Sequence, residues 1–384
     1  MPAVRSTRPP AWLSRADCRV PDLAAVVSSR TSPDAYPLAD SVVDDVLIYD
    51  GSQLPDDRRE LLCEWARAFL DGPGLVVIRR AFADTAVVDR VSAMFDAMIA
   101  DQRAAGTAGG DHFAKPGAND RVWNALEKLA LRDPEAFAEY YDNEVVALAA
   151  TAWLGPAYQV TSQVNVVNPG GAAQRGHRDY HLGFMSAARA ERFPALVHHL
   201  SPTLTLQGAV AHGDMPVESG PTMYLPHSQK YPLGYLAMDE PAFQEYFEAS
   251  HVQLSLSKGD AVFFNPALIH AAGHNRSADV RRMANLLQIS SAFGRAMESV
   301  DRTRMCLALY PVLERRRKSG LDVENVLAAS AEGYAFPTDL DRDQPVDGLA
   351  PPSQADLVRR ALDEGRDLDH LRRELAAHSA RRGY

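Results

Sequence analysis

Along this chain the apolar positions recur at two different periods, and the change of period divides it. In "PDDRRELLCEWARAFLDGPG", Leu61, Leu62, Trp65, Ala66 and Phe69 recur every three or four residues. That is the spacing of one helix face, and the Gly-Pro-Gly at 72–74 ends it. "GLVVIRRAF" then predicts a short strand, and "DTAVVDRVSAMFDAMIADQRAAG" a second amphipathic helix. Residues 106–120 are Gly-rich and read as a mobile loop. "DPEAFAEYYDNEVVALAATAWLG" predicts one further helix, ended by Gly155 and Pro156.

Near residue 157 the period becomes two. "YQVTSQVNVVNPGG" alternates as a strand and stops at Pro169-Gly170-Gly171. "TLTLQGAVAHGDM", "PTMYLPHS", "VQLSLSKGDAVFFNP" and "MANLLQISSAF" predict further short strands with turn residues between them. After residue 300 the helical period returns. Leu357, Val358, Leu362, Leu368, Leu371 and Leu375 mark a C-terminal amphipathic helix or helix pair. Strands gathered in the middle and flanked by helices predict a mainly β core with helical buttresses, an antiparallel barrel or jelly roll. The expected division is an irregular arm over 1–45, a mostly helical part over 46–156 packing on the barrel, the barrel over 157–295, and a helical extension over 296–384. No internal repeat is visible.

Composition narrows the function classes. At 384 residues with 46% hydrophobic content, one large enzyme domain with terminal elaborations fits. A net charge of −10 argues against a nucleic-acid partner, which calls for a basic face. Cys18, Cys63 and Cys306 are far apart and form no pairing motif, so a reducing compartment is expected. No apolar run approaches the ~20 residues of a membrane span. The Arg-rich N-terminus lacks an apolar core and reads as an arm rather than a secretory signal. The expected location is the cytoplasm and the expected partner a small soluble molecule. "ERRRKSG" at 314–320 reads as a solvated helix end. Neither a Gly-x-Ser-x-Gly elbow nor a P-loop is present.

The candidate chemistry starts at "GHRDYHLGF", residues 176–184. On a strand, residues two apart share a side, so His177 and Asp179 project together and Arg178 points away. One imidazole and one carboxylate make two-thirds of the facial triad of non-haem Fe(II) sites. Alone the pair is weak, and His212-Gly213-Asp214 repeats it. The segment "KGDAVFFNPALIHAAGHNRSADVRRMANLLQIS" supplies what is missing. His270 ends one strand, and Arg281-Arg282 open the next. An arginine fork suits a ligand carboxylate, and only one of two adjacent strand residues can face inward.

In this order the motifs resemble the phytanoyl-CoA dioxygenase family of Fe(II)/2-oxoglutarate-dependent oxygenases over roughly residues 157–295. The stretch "AVAHGDMPVESGPTMYLPHSQK" lies between His177-x-Asp179 and Gly-Asp…His270 and looks like the family's Asn-Gly-Pro…Pro-Gly-Ser-His stretch. Ser219 and His227-Ser228-Gln229 depart from it at a turn. The resemblance implies a double-stranded β-helix (cupin-like jelly roll), with Fe(II) on His177, Asp179 and His270. It also implies that Arg281 clamps the far carboxylate of 2-oxoglutarate, that Gln174 and Thr222 contact this cosubstrate, and that His212-x-Asp214 is an ordinary strand end. O2 would be the third reactant, with succinate and CO2 released as a small-molecule metabolite is hydroxylated or otherwise oxidised. Halogenating relatives replace the acid at the position of Asp179, so retaining it points away from halogenation. Gln163 and Asn165 on the preceding strand, and Tyr180 and His181 after the motif, are candidate substrate-site residues. Arg282 is expected to pair with surface acids, and residues 182–203 to form a lid or helical insert. Two other readings use the same residues: a metal-dependent hydrolase, because two His and an Asp also suit Zn2+, and a non-catalytic cupin-like binding protein.

Overall fold

In the computed structural model, which describes residues 11–106 and 118–383, the alternating segments become strands of two sheets. They are β1 (Ser41–Val43), β2 (Val46–Asp50), β3 (Leu75–Arg79), β4 (Asn119–Val122), β5 (Gln159–Val167), β6 (Thr205–Ala211), β7 (Met223–Tyr224), β8 (Val252–Gln253), β9 (Ala261–Phe264), β10 (His270–Ala271) and β11 (Arg282–Ser290). The larger sheet has eight strands in the order β1-β2-β3-β9-β6-β11-β5-β4, and the smaller has three in the order β10-β7-β8. Every pairing is antiparallel except β2 with β3. This is the jelly-roll, cupin-like core with helices on its outside.

The two faces of the larger sheet have different work, and strand parity shows it. On β11, Met283, Leu287 and Ile289 join a core with Val160, Val164, Leu206, Val210 and Phe263. Helices Arg58–Leu70, Ala86–Ala104, Pro134–Tyr141 and Arg302–Lys318 close over this face with Trp65, Phe69, Phe95, Phe137 and Leu309. Those side chains are wholly buried, and each large one contributes on the order of 2 kcal/mol. The opposite parity of β11, namely Arg282, Ala284, Leu286 and Gln288, faces a cavity between the sheets. A helical coat on one side and a cavity on the other explains why neither parity reads as solvent-facing.

Three expectations change. The arm is not irregular throughout: Val20–Val27 is a helix with Pro21 in its first turn, and Leu23 is buried against Tyr231 and Phe247. The long helix expected over 133–154 is two, Pro134–Tyr141 and Glu144–Leu154. Asn143 interrupts it, because its side chain accepts from Val146 N–H (3.0 Å) and donates to Ala81 O (2.8 Å). The part described as mostly helical also supplies β2, β3 and β4 to the sheet. Most of the Gly-rich loop, 107–117, lies outside the described residues, as do residues 1–10; its last residues begin β4. At the C-terminus the leucines form a helix pair, Gln354–Asp363 and Leu368–Arg381. The basic run ends helix Arg302–Lys318, where Arg315, Arg316 and Arg317 pair with Glu135, Asp142 and Asp363.

His212 sits in the helical core, not at a metal site. Its Nδ1 meets Ser92 Oγ (2.8 Å) and its Nε2 meets Tyr140 Oη (2.9 Å), while Asp214 accepts from Lys258 N–H. Burial pushes its pKa down to about 3, against a small opposing effect of Asp89. A folded-state pKa below the unfolded one means that the unfolded chain binds the extra proton. Stability is therefore full above pH ~6.5 and falls as the pH drops toward the folded value, by on the order of 4 kcal/mol. Urea midpoints measured between pH 7 and pH 4 should show this fall, and His212→Gln should flatten it.

Candidate metal centre and its cavity

The segment carrying His177 runs alongside β10. His177 N–H donates to His270 O and His270 N–H to His177 O, both at 3.0 Å, so the two ligand candidates are paired across one antiparallel bridge. Gly176 lets the segment pack closely on helix Pro241–Ser250, since a Cβ there would lie 2.7 Å from the Phe247 ring. Arg178, of opposite parity, points away into the protein. Its Nη2 donates to Tyr231 O (2.9 Å) and to Ser228 O, and its guanidinium lies over the Tyr235 ring. Tyr180 then takes φ 65°, an uncommon value for a non-glycine residue, and turns the chain into the helical turn His181–Phe184.

The side chains of His177, Asp179 and His270 converge. One ligand atom from each lies within 4.8 Å of the others. Nε2 of His177 is 3.6 Å from Asp179 Oδ1, and Nε2 of His270 is 3.5 Å from Asp179 Oδ2. Both imidazoles are aimed in the same way. Nδ1 of His177 meets Arg175 O at 2.8 Å, and Nδ1 of His270 meets Leu268 O at 2.9 Å. A carbonyl can only accept, so Nδ1 carries the proton and the Nε2 lone pair faces the centre. Gln207, opposite on β6, donates from Nε2 to Asp179 Oδ2 at 2.6 Å. Burial acts to raise the pKa of Asp179. The charge that His177 and His270 carry when protonated, together with the Gln207 hydrogen bond, outweighs burial and holds the carboxyl well below the usual range; in the ligating state a bound cation takes the place of that charge. The set is two neutral nitrogens and one carboxylate on one face, a donor set that fits Fe(II) with coordination positions left open.

These residues line a cavity of about 990 Å³ between the sheets. Its walls include Val77, Ala209, Val262, Phe264 and Leu286, with polar groups at separate places. Gln174, Thr222, Gln163 and Asn165 all line it. Gln174 accepts from Ala272 N–H (3.2 Å) and so pins the chain beside β10. Gln163 accepts from Arg121 Nη2 (2.8 Å), and Asn165 has a buried Oδ1 without a partner among the described residues. The other two candidates lie off the cavity wall. The Tyr180 hydroxyl donates to Gln288 Oε1 (2.6 Å), and His181 bonds Ser201 Oγ (3.1 Å). In the segment 182–203, Gly183, Phe184 and Met185 reach the cavity mouth, and His198 is buried against Ala190 O.

The expectation for the arginine pair is reversed. Arg281 lies on the outer side, where it pairs with Asp96 (2.9 Å), and both side chains are largely exposed. It does not line the cavity. Arg282 does, and it is only 6% exposed. Its Nη1 is buried without a hydrogen-bond partner, and no acid pairs with it among the described residues. Burial lowers its pKa to about 10, against the opposing effect of Tyr224. The reason is parity: Arg282 shares its side of β11 with Ala284, Leu286 and Gln288, and Arg281 falls on the helical side. Gln207, Gln288 and Tyr224 also belong to the cavity and carried no motif. Their only sequence signal was a polar side chain at the cavity parity of an otherwise apolar strand.

Residues 70–283, more than half of the chain, match the profile of the family described as Phytanoyl-CoA dioxygenase (PhyH). The chain belongs to this family. Its PhyH region spans β3 to the start of β11 and so contains the His-Asp-His cluster and Arg282. No curated protein matches the chain in sequence. Solved structures similar to it include the non-heme alpha-ketoglutarate-dependent epimerase SnoN from nogalamycin biosynthesis, 19% identical over 61% of this chain and 84% of that one, with a TM-score of 0.40. They also include the carbocyclase SnoK from the same biosynthesis, 20% identical over 63% and 86%, with a TM-score of 0.42. A third is EvdMO1, 18% identical over 60% and 50%, with a TM-score of 0.42. No helix among the described residues is long and apolar enough to cross a membrane.

Proposed function

We propose that this PhyH-family protein is an Fe(II)/2-oxoglutarate-dependent dioxygenase that hydroxylates, or otherwise oxidises, a small-molecule metabolite with release of succinate and CO2. The observation that carries the reading is one cavity holding both a converged His-Asp-His set and a buried arginine that has no counter-charge among the described residues. The cofactors are Fe(II) and 2-oxoglutarate, with O2 as the third reactant.

His177, Asp179 and His270 hold the iron, and the carbonyls of Arg175 and Leu268 keep both imidazoles in the ligating tautomer. Arg282 replaces Arg281 as the partner of the distal cosubstrate carboxylate. A buried carboxylate without a cation would carry a large desolvation cost, and a planar fork answers it with paired hydrogen bonds. Thr222 and Asn165, which line the same cavity, are proposed as further polar contacts to the cosubstrate, and Gln174 as the residue holding the adjoining chain in place. When bound, the iron and 2-oxoglutarate supply the oxidation of an unactivated C–H bond. The protein contributes orientation and the exclusion of water, for which the apolar walls around Phe264 and Leu286 are suited. A hydrolytic zinc site would use the same three ligands but would leave Arg282 buried with no partner.

Anaerobic titration of the protein with Fe(II) and then 2-oxoglutarate is expected to develop the charge-transfer absorption of the chelate. Admitting O2 should then release succinate. Hydrolysis supported by Zn2+ and indifferent to 2-oxoglutarate would be evidence for the other chemistry.

A further inference from the structure

Gln207 and Gln288 are direct neighbours across β6 and β11, and both line the cavity beside Asp179. They are 3% and 7% exposed. Each has one end committed. Gln207 must turn its N–H2 to the Asp179 carboxylate, which can only accept, so its Oε1 is the free end. That Oε1 is buried and has no hydrogen-bond partner among the described residues. Gln288 accepts the Tyr180 hydroxyl proton on Oε1, the sole hydrogen bond of that buried phenol among the described residues. Its Nε2 is therefore the free end. The two paired residues thus leave one acceptor and one donor uncommitted, and no hydrogen bond joins the two amides.

We infer that Gln207 and Gln288 together read a neutral hydroxyl group of the substrate next to the metal centre; the inference rests on the oxygenase reading above. A hydroxyl donates one hydrogen bond and accepts others, so it answers both free ends at once. A methyl ether leaves Gln207 Oε1 unanswered, and a buried acceptor left without a donor is costly. A carboxylate is worse, because its oxygens meet Gln207 Oε1 and lie close to the charge of Asp179. Apart from Arg282, assigned above to the cosubstrate, the neighbours at the same parity are small or apolar: Ala209 on β6, and Ala284 and Leu286 on β11. They leave space for a hydrocarbon body attached to the hydroxyl-bearing carbon. The substrate class is thus a neutral alcohol with an apolar frame, and the hydroxyl sets which carbon lies nearest the iron. Because Gln207 also holds Asp179, the substrate hydroxyl and the metal carboxylate share one side chain.

The test uses three probes on one frame: 2-naphthalenemethanol, its methyl ether and 2-naphthoate. Their affinities for the full chain, held anaerobically with Fe(II) and 2-oxoglutarate, are read by ligand-observed NMR and by perturbation of the chelate absorption. The alcohol is expected to bind about 10-fold or more tightly than either analogue, and Gln288→Leu to shrink the preference to about 3-fold or less while the chelate band persists. Should the leucine variant fail to fold, Gln288→Met, closer in length, takes its place. An ether or carboxylate that binds as well as the alcohol overturns the inference. So does a preference that survives in the variant, or failure of all three probes to bind. Absence of the chelate band in the wild-type protein would instead count against the iron reading, and the NMR ranking would still decide the hydroxyl question.

Discussion

His270→Ala is expected to lower Fe(II) affinity by at least about 100-fold, since losing even an outer partner of a metal ligand costs about 10- to 100-fold. Here a ligand candidate itself is removed. His270 is 5% exposed and sits at the hinge of the site. Its backbone pairs with His177, and its ring packs edge-on against Phe264. Alanine leaves the backbone bridge intact, so the fold should persist with a modest loss of thermal stability. Fe(II) or Co(II) titration, alongside a melting curve, separates the two effects. A folded variant with unchanged metal affinity would remove His270 from the ligand set and take the oxygenase proposal with it.

The second large effect concerns the arginines, where a double comparison is decisive. Arg282→Leu is expected to weaken 2-oxoglutarate binding by about 100-fold or more, in line with the 3–5 kcal/mol that breaking a buried charge pair costs. Without cosubstrate the same variant should be no less stable than the wild type, because Arg282 has a buried Nη1 with no partner to lose among the described residues. Arg281→Leu removes only an exposed pair with Asp96, worth less than about 1 kcal/mol. It should leave 2-oxoglutarate affinity within about twofold. Isothermal titration of the three proteins with Fe(II) present gives the answer. A loss that follows Arg281 instead would show that the parity argument is wrong.

That reversal shows how far local pattern reaches. "RRMANLLQIS" contains the parity information: Arg282, Ala284, Leu286 and Gln288 on one side, Arg281, Met283, Asn285, Leu287 and Ile289 on the other. What the pattern lacks is a solvent side to mark the outer face, since helices cover one face of the sheet and a cavity faces the other. The more apolar parity belongs to the helical face, and the cavity keeps the polar one. The long helix over 133–154 failed for a related reason. Its helical period runs through Asn143 unbroken, but the side chain caps the second segment and ties it to Ala81, a contact that depends on the packed sheet.

The order of the motifs, read with the family resemblance, nominated His177, Asp179 and His270; spacing alone left His212-x-Asp214 as an equal pair. The period change near residue 157 was enough to indicate a β core with helical cover. Those signals are local, so they survive reading without coordinates. The position of Gln207 over Asp179, the pairing of Gln207 with Gln288, the burial of His212 between Ser92 and Tyr140, and the inward choice of Arg282 are long-range matters. They depend on which strands become neighbours and which face meets helices, and such pairings join residues far apart in the chain whose mutual orientation no local period encodes.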